Sequence, residues 1–131
     1  MLAESKPKVL MLDDERLLLD MYRMALEKDG YDVLACDNAD SALESLRGGF
    51  NPDVILFDIT MPDGKSGYEF IDIVQREKLA PRSLKVVLTN EGRDGVLKHV
   101  EELGADAHLM KSKYTQHELA AVVTEMLKKR A

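Results

Sequence analysis

Five short apolar runs alternate with five amphipathic patterns along the 131-residue chain, and this alternation limits the fold more than any other feature. The apolar runs, which we interpret as strands, are Lys8 to Leu12, Tyr31 to Cys36, Asp53 to Phe57, Leu84 to Leu88 and Asp106 to Met110. Strands this apolar leave no face for water, so the sequence predicts an α/β fold with helices on both faces of a parallel sheet. Right-handed crossovers favour the five-stranded doubly wound order 2-1-3-4-5.

The predicted helices are defined by apolar spacing and by the residues that begin them. Asn38 is a favourable N-cap for the second helix, and capping boxes formed by Ser66 with Glu69 and by Thr115 with Glu118 begin the third and the fifth. The residues predicted to face inward are Leu18, Met21, Tyr22 and Ala25 in the first helix, Ala39, Ala42, Leu43 and Leu46 in the second, Phe70, Ile73 and Val74 in the third, Val96, Leu97, Val100 and Leu103 in the fourth, and Leu119, Val122, Val123 and Met126 in the fifth.

Composition and charge argue against several classes of protein. The 24 acidic and 18 basic residues give a net charge of -6, which argues against nucleic acid as a direct partner. A single cysteine, Cys36, excludes an internal disulfide and suits a reducing compartment, and we expect it to be buried. No apolar run approaches membrane-spanning length, so we expect a cytoplasmic protein with no membrane partner. Length and the lack of a linker indicate one domain, residues 1–131, with a core of about residues 7–129.

Polar residues stand at the carboxyl ends of four predicted strands. They are Asp13 and Asp14 after the first, Asp58 after the third, Thr89 after the fourth and Lys111 after the fifth. These strands are neighbours in the predicted order, so the side chains should converge at the edge where doubly wound sheets bind ligands. Three carboxylates with one ammonium favour a hard divalent cation such as Mg²⁺ or Mn²⁺. A carboxylate beside the metal, with hydroxyl and ammonium donors, is suited to accepting a phosphoryl group.

Each of these residues alone has an ordinary structural interpretation. An Asp at a strand end is usually a turn former or a helix cap, and a single lysine is usually a solvated charge. The functional prediction depends on the agreement of four strand ends. Asp37 follows the second strand, which lies beyond the first in the predicted order, so we expect Asp37 to lie away from the cluster.

Four segments of the chain resemble the receiver domain of two-component response regulators, and the similarity covers essentially the whole chain. LMLDDE resembles the strand with the acidic pair, ILFDITMP the phosphoacceptor strand and loop, VVLTN the strand with the switch threonine, and HLMKS the lysine strand. The resemblance implies a flavodoxin-like, CheY-like fold of the stand-alone type. It also implies that Asp58 is phosphorylated, that Asp14 ligates Mg²⁺ directly, that Asp13 acts mainly through a water, and that the backbone carbonyl of Thr60 is another ligand.

The resemblance implies a signalling module rather than a metabolic enzyme. A histidine kinase or a histidine phosphotransfer protein would donate the phosphoryl group to Asp58, with Thr89 and Lys111 contacting it. The chain would catalyse only this acceptance and its own slow dephosphorylation. A downstream effector protein would then bind the face formed by the fourth helix, the fifth strand and the fifth helix.

Three positions depart from the pattern of the family. Ser112 stands where proline usually follows the lysine, often after a cis bond, so we expect a trans Lys111–Ser112 peptide and a different last loop. Asn90 replaces a small residue and is expected to narrow access to the site. His108 replaces an aromatic switch residue.

The resemblance also implies roles for two residues near the site. Thr60 and Glu91 occupy positions that tune the rate of dephosphorylation.

Three alternative functions are suggested by parts of the sequence. Gly64-Lys65-Ser66 ends like a phosphate-binding P-loop, but the required first glycine would be residue 59, which is Ile59. A haloacid-dehalogenase-like phosphatase would need a second aspartate two residues after Asp58, where the chain has Thr60. A receiver-like adaptor that works without phosphorylation is suggested by the departures at Asn90, His108 and Ser112, but the complete acidic triad argues against it.

Overall fold

Five parallel strands form one sheet in the computed structural model, which describes residues 6–61, 64–90, 98–99 and 101–130. The strands are β1 (Lys8–Leu12), β2 (Asp32–Cys36), β3 (Val54–Asp58), β4 (Leu84–Thr89) and β5 (Ala107–Met110). Their order is β2-β1-β3-β4-β5, which confirms the predicted doubly wound topology. Every neighbouring pair is parallel, so the carboxyl ends of all five strands lie at one edge of the sheet.

Helices connect the strands. They are α1 (Arg16–Lys28), α2 (Ala39–Arg47), α3 (Gly67–Arg76), α4, of which residues 98–99 and 101–102 are described, and α5 (Gln116–Arg130). A 3₁₀ turn, Lys111–Lys113, separates β5 from α5. The residues Val96, Leu97 and Val100, predicted to face inward from the fourth helix, lie outside the described residues. None of the helices in the described ranges is long and apolar enough to span a bilayer.

The pleat of the strands divides the core into two layers. Along β1, Leu10 and Leu12 pack with α2 and α3 on one face, whereas Val9 and Met11 pack with α1 and α5 on the other. All four side chains are fully buried, which agrees with the expectation that these strands have no face for water. Each buried aliphatic side chain contributes about 1.5–3 kcal/mol to the free energy of folding, so the two layers fix the sheet and its carboxyl edge firmly.

The predicted inward face of α1 is right at Tyr22 and wrong at Met21, so the face is displaced by part of a turn. Leu19, Tyr22 and Leu26 are the buried residues of α1, whereas the predicted Met21 is 43% exposed. The predicted Leu18 and Ala25 are only half-buried. Three consecutive leucines, at positions 17 to 19, do not indicate which side of the helix faces inward, and packing against α5 and β2 selects Leu19.

The predicted caps are confirmed and the predicted strand limits shift by a residue. Asn38 accepts a hydrogen bond from the Ser41 amide at 2.8 Å, and both predicted capping boxes are formed. Strand β3 extends through Asp58 and β4 through Thr89, so these residues are the last of their strands rather than the first after them. Strands β2, β3 and β5 each begin one residue later than predicted.

Candidate functional site

Four buried polar side chains meet at the carboxyl edge of the sheet. Asp13 directly follows β1, Asp58 ends β3, Thr89 ends β4 and Lys111 directly follows β5. Asp13 is 0% exposed, Asp58 4%, Thr89 1% and Lys111 7%. Burying charged groups is costly unless they are paired, so the position of each depends on its partners.

The ammonium group of Lys111 joins two of the carboxylates. Its Nζ donates to Asp13 Oδ2 at 2.6 Å and to Asp58 Oδ2 at 2.9 Å. The second oxygen of Asp58 accepts from the Thr60 amide at 3.0 Å, and the second oxygen of Asp13 accepts from the Glu15 amide at 3.0 Å. Both carboxylates are therefore oriented by two donors each, one of them a shared cation.

The three aspartates can also hold a metal ion. One carboxylate oxygen from each of Asp13, Asp14 and Asp58 lies within 4.8 Å of the other two. Asp14 is half-buried at the rim, so an ion held here would keep water ligands on its open side. Oxygen-only ligands with room for water match the preference of Mg²⁺, and the donor set therefore fits the predicted cation.

Electrostatics in the site reflect competition between burial and pairing. Burial raises the pKa of Asp58, and the bond from Lys111 offsets only part of that effect. Burial by itself lowers the pKa of Lys111, but the two carboxylates outweigh it and the pKa is raised. Lys111 is therefore a permanent cation over the physiological range, and it faces a carboxylate that it helps to keep ionised.

Tyr22 of α1 is buried within the electrostatic influence of this cluster and was predicted only as a core residue. Burial raises the pKa of the Tyr22 phenol, and the charges of Lys111, Asp13 and Asp58 act on it as well. Its side chain is 2% exposed and packs in the same layer as Leu109, which precedes Lys111 by two residues. The phenol is thus a polar neighbour of the site supplied by a helix, which strand-end reasoning could not identify.

The loop from β3 to α3 depends on Gly67, a residue to which the sequence analysis gave no role. A Cβ atom at Gly67 would lie 2.2 Å from the carbonyl oxygen of Asp58 and 2.6 Å from Cα of Ile59. The Gly67 amide also donates to the Ile59 carbonyl at 3.0 Å. The first turn of α3 therefore lies directly against the backbone of Asp58, and glycine is the residue that permits this approach. A glycine immediately after the predicted helix cap was the available signal.

The Gly64-Lys65-Ser66 segment forms a turn and a helix cap. Gly64 has φ +82°, Ser66 caps α3, and Lys65 Nζ donates to Asp40 at 2.6 Å. These roles agree with the rejection of a P-loop on spacing.

The remaining sequence-predicted residues lie outside the buried cluster. Asn90 is exposed immediately after β4, and His108 is exposed on β5, which is an edge strand. Asp37 lies away from the cluster, as expected, and pairs with Arg16 at 2.7 Å. Ser112 lies in the 3₁₀ turn, and the described residues contain no cis peptide, so the expected trans bond is confirmed. Glu91 lies outside the described residues.

Curated relatives are similar in sequence to nearly the whole of this chain. The phosphate regulon transcriptional regulatory protein PhoB of Klebsiella pneumoniae is 30% identical over 122 residues, which cover 93% of this chain and 52% of that protein. The alkaline phosphatase synthesis transcriptional regulatory protein PhoP of Bacillus subtilis is 30% identical, with coverage of 93% and 49%. The chain therefore spans about half the length of the curated relatives it matches.

Solved structures share the fold along nearly their full length. A CheY-like response regulator receiver domain protein from Methanospirillum hungatei JF-1 superposes with a TM-score of 0.84 and is 27% identical, covering 96% of this chain and 97% of that one. The chemotaxis response regulator CheY4 of Vibrio cholerae has a TM-score of 0.82 and 25% identity, with coverage of 92% and 98%. A family model described as the response regulator receiver domain matches residues 9–124. The chain therefore belongs to the receiver domain family of two-component response regulators, signalling modules whose general function is phosphorylation-dependent switching.

Proposed function

We propose that this chain is a switch of a two-component system or phosphorelay in which Asp58 accepts the phosphoryl group. The observation that carries the proposal is the ammonium of Lys111, buried between Asp13 and Asp58 at 2.6 and 2.9 Å. An ion triplet of this kind is expensive to bury, and an apolar core would be more stable at the same place. Its chemistry, together with the metal-binding geometry of Asp14, supports phosphoryl transfer more than a structural role.

The transfer follows from the orientation of Asp58. A carboxylate oxygen of Asp58 attacks the phosphorus of a phosphohistidine, a P–O bond forms as the P–N bond breaks, and the released imidazole takes a proton from solvent. Lys111 stays within reach of the new phosphoryl oxygens, and the Thr89 hydroxyl from β4 is the proposed second donor. A Mg²⁺ ion held by Asp13, Asp14, Asp58 and the Thr60 carbonyl would neutralise the charge of the transferred group.

Dephosphorylation is a hydrolysis with water as the nucleophile. Water attacks phosphorus, its P–O bond forms as the P–O bond to Asp58 breaks, a proton passes to solvent, and inorganic phosphate leaves the regenerated carboxylate. Thr60, whose amide bonds Asp58 Oδ1 at 3.0 Å, and Glu91 are proposed to tune the rate of this step. Asn90, exposed beside the site, is proposed to limit access for small phosphodonors. These two self-directed reactions would be the only catalysis that the chain performs.

The partners follow from membership of the family. Receiver domains interact with histidine kinases or phosphotransfer proteins and with effectors, and we assign both kinds of partner to this chain. The output surface would be the face of α4, β5 and α5. His108, exposed on β5, has two interpretations there: an ordinary polar residue of an edge strand, or a switch residue in place of the usual aromatic. We propose that residues 1–131 work as a single receiver domain in the cytoplasm.

Labelling with a small phosphodonor tests the proposal. The purified protein is incubated with acetyl phosphate and Mg²⁺, and the intact mass is measured for the parent and for Asp58→Asn. The parent should gain one phosphoryl group, while Asp58→Asn gains none and Asp14→Ala gains little because it lacks a metal ligand. A parent that stays unlabelled would favour an adaptor that works without phosphorylation. Equal labelling of the parent and Asp58→Asn would show that another carboxylate accepts the phosphoryl group.

A further inference from the structure

Helix α3 begins in direct contact with the backbone that carries the phosphoacceptor. A Cβ atom added at Gly67 would lie 2.2 Å from the Asp58 carbonyl oxygen, so the two backbone segments are in direct contact. The hydrogen bond from the Gly67 amide to the Ile59 carbonyl, 3.0 Å long, fixes their relative position. Any shift of the Asp58–Ile59 peptide must therefore move the first turn of α3 or strain this contact.

The next residue of the same turn contacts α4. The ring of Tyr68 packs against the ring of His99, with centroids 4.8 Å apart and a tilt of 46°. A second contact lies further along α3, where Gln75 Nε2 donates to the Gly104 carbonyl at 3.1 Å. Helix α3 is thus joined to His99 of α4 by a ring pair near the site, and to Gly104, in the turn after α4, by a hydrogen bond away from it.

Phosphorylation would disturb the segment to which α3 is joined. Both oxygens of Asp58 are engaged as a carboxylate, one by the Thr60 amide at 3.0 Å and one by Lys111 at 2.9 Å. The lysine can follow the new phosphoryl oxygens, but the Thr60 amide belongs to the backbone. Joining phosphorus to the oxygen that this amide bonds weakens that acceptor, so residues 58 to 60 would adjust. Because Gly67 lies directly against the Asp58 carbonyl, a shift of residues 58 to 60 would also displace the first turn of α3.

We propose that the Tyr68–His99 ring pair couples the state of Asp58 to α4, and that it favours the carboxylate form over the phosphorylated form. This inference rests on the proposed function of Asp58. It gives the chain a connection through α3 that is separate from Thr89 and from the exposed His108 of β5. Ring pairs contribute a modest free energy, so removing this one should shift the equilibrium without unfolding the domain.

A double-mutant cycle in two states of Asp58 tests the coupling. Beryllofluoride with Mg²⁺ adds to a carboxylate as a phosphoryl mimic, and its dissociation constant is measured by fluorine NMR. Tyr68→Leu and His99→Leu should each bind it about two- to tenfold more tightly than the parent, which is the range set by one ring pair. The double variant should gain no more than either single one, because either change removes the whole contact.

Matched variants separate coupling from general packing effects. Tyr68→Phe and His99→Phe keep both rings and should bind beryllofluoride like the parent, whereas Gln75→Met, which removes the second contact, should again tighten binding. Unchanged or weaker binding in the two leucine variants, or additive gains in the double variant, would overturn the inference while leaving the proposed function intact. A parent that binds no beryllofluoride would contradict the proposed function and this inference together.

Discussion

Lys111 is the residue on which the metal-free site depends most. It supplies the positive charge shared by the Asp13 and Asp58 carboxylates, and it is buried together with them. Removing one partner from a buried ion pair leaves the others without compensation, which costs more than the pair itself contributes. The lysine thus stabilises the fold and the site through the same two hydrogen bonds.

Substitution of this lysine should be costly when no metal is bound. Lys111→Met keeps much of the side-chain volume, and we expect it to lower the free energy of unfolding by about 3 kcal/mol in metal-free buffer. Mg²⁺ should restore part of the loss, because the ion compensates the same carboxylates. Denaturant unfolding with and without Mg²⁺ measures both effects. Lys113→Met, in the same 3₁₀ turn but exposed, is the control and should change stability little. Equal stability of the two variants would contradict the assigned role.

Cys36 provides a residue-scale test by pH. Burial raises the pKa of its thiol from the ordinary 9.0 to about 11, so the folded protein holds this proton more tightly than the unfolded chain. The resulting stability is present below pH 9 and is lost as pH rises through about 11. The difference in unfolding free energy between the parent and Cys36→Ala should shrink by about 2–3 kcal/mol over that interval. A difference that stays constant with pH would show that the thiol titrates alike in both states.

At the scale of single elements, local patterns determined what could be predicted. Capping boxes and the Asn38 cap are short-range chemistry, and all three are formed as predicted. The inward face of α1 could not be predicted, because residues 17 to 19 are all leucine and only tertiary packing selects Leu19. The role of Gly67 was equally hidden, since it depends on an approach to the Asp58 carbonyl across nine residues of chain.

Position 67, at the start of α3, should not tolerate any residue other than glycine. Gly67→Ala places a methyl group against the Asp58 carbonyl, so we expect about 1–3 kcal/mol of destabilisation and slower labelling by acetyl phosphate, because the carboxylate is displaced. Gly48→Ala is the matched control: Gly48 has φ -77°, and its Cβ would lie 3.3 Å from the nearest atom, a tight but adjustable contact. Denaturation and labelling rates for the two variants check this. A Gly67→Ala protein that labels at the parental rate would show that the approach does not position Asp58.

At the scale of the whole molecule, the order of the strands is sufficient to predict where the site lies. Once the order 2-1-3-4-5 is given, the ends of β1, β3, β4 and β5 must meet at one edge, so the convergence of Asp13, Asp58, Thr89 and Lys111 follows from the order of the strands. The proximity of Tyr22 could not follow from this, because helix phase and not strand order brings its phenol within the electrostatic influence of the cluster.

Metal binding should stabilise the entire domain. A ligand that binds only the folded form raises its stability in proportion to its affinity and concentration, and here it also relieves repulsion among Asp13, Asp14 and Asp58. We therefore expect millimolar Mg²⁺ to raise the melting temperature of the parent by a few degrees and to leave that of Asp14→Ala nearly unchanged. Calorimetry with Ca²⁺-free, EDTA-treated protein measures the shift. A parent whose melting is insensitive to Mg²⁺ would contradict the metal assignment.

The central claim is that Asp58 itself carries the phosphoryl group, and locating the modified atom tests it most directly. Sodium borohydride reduces an aspartyl phosphate to homoserine, which marks the acceptor with a stable change in mass. The protein is treated with acetyl phosphate in Mg²⁺, reduced, digested and sequenced by tandem mass spectrometry. The account predicts homoserine at position 58 alone, dependent on both phosphodonor and Mg²⁺. Homoserine at position 13, 14 or 63, or none at all under conditions where the protein gains phosphate, would contradict it.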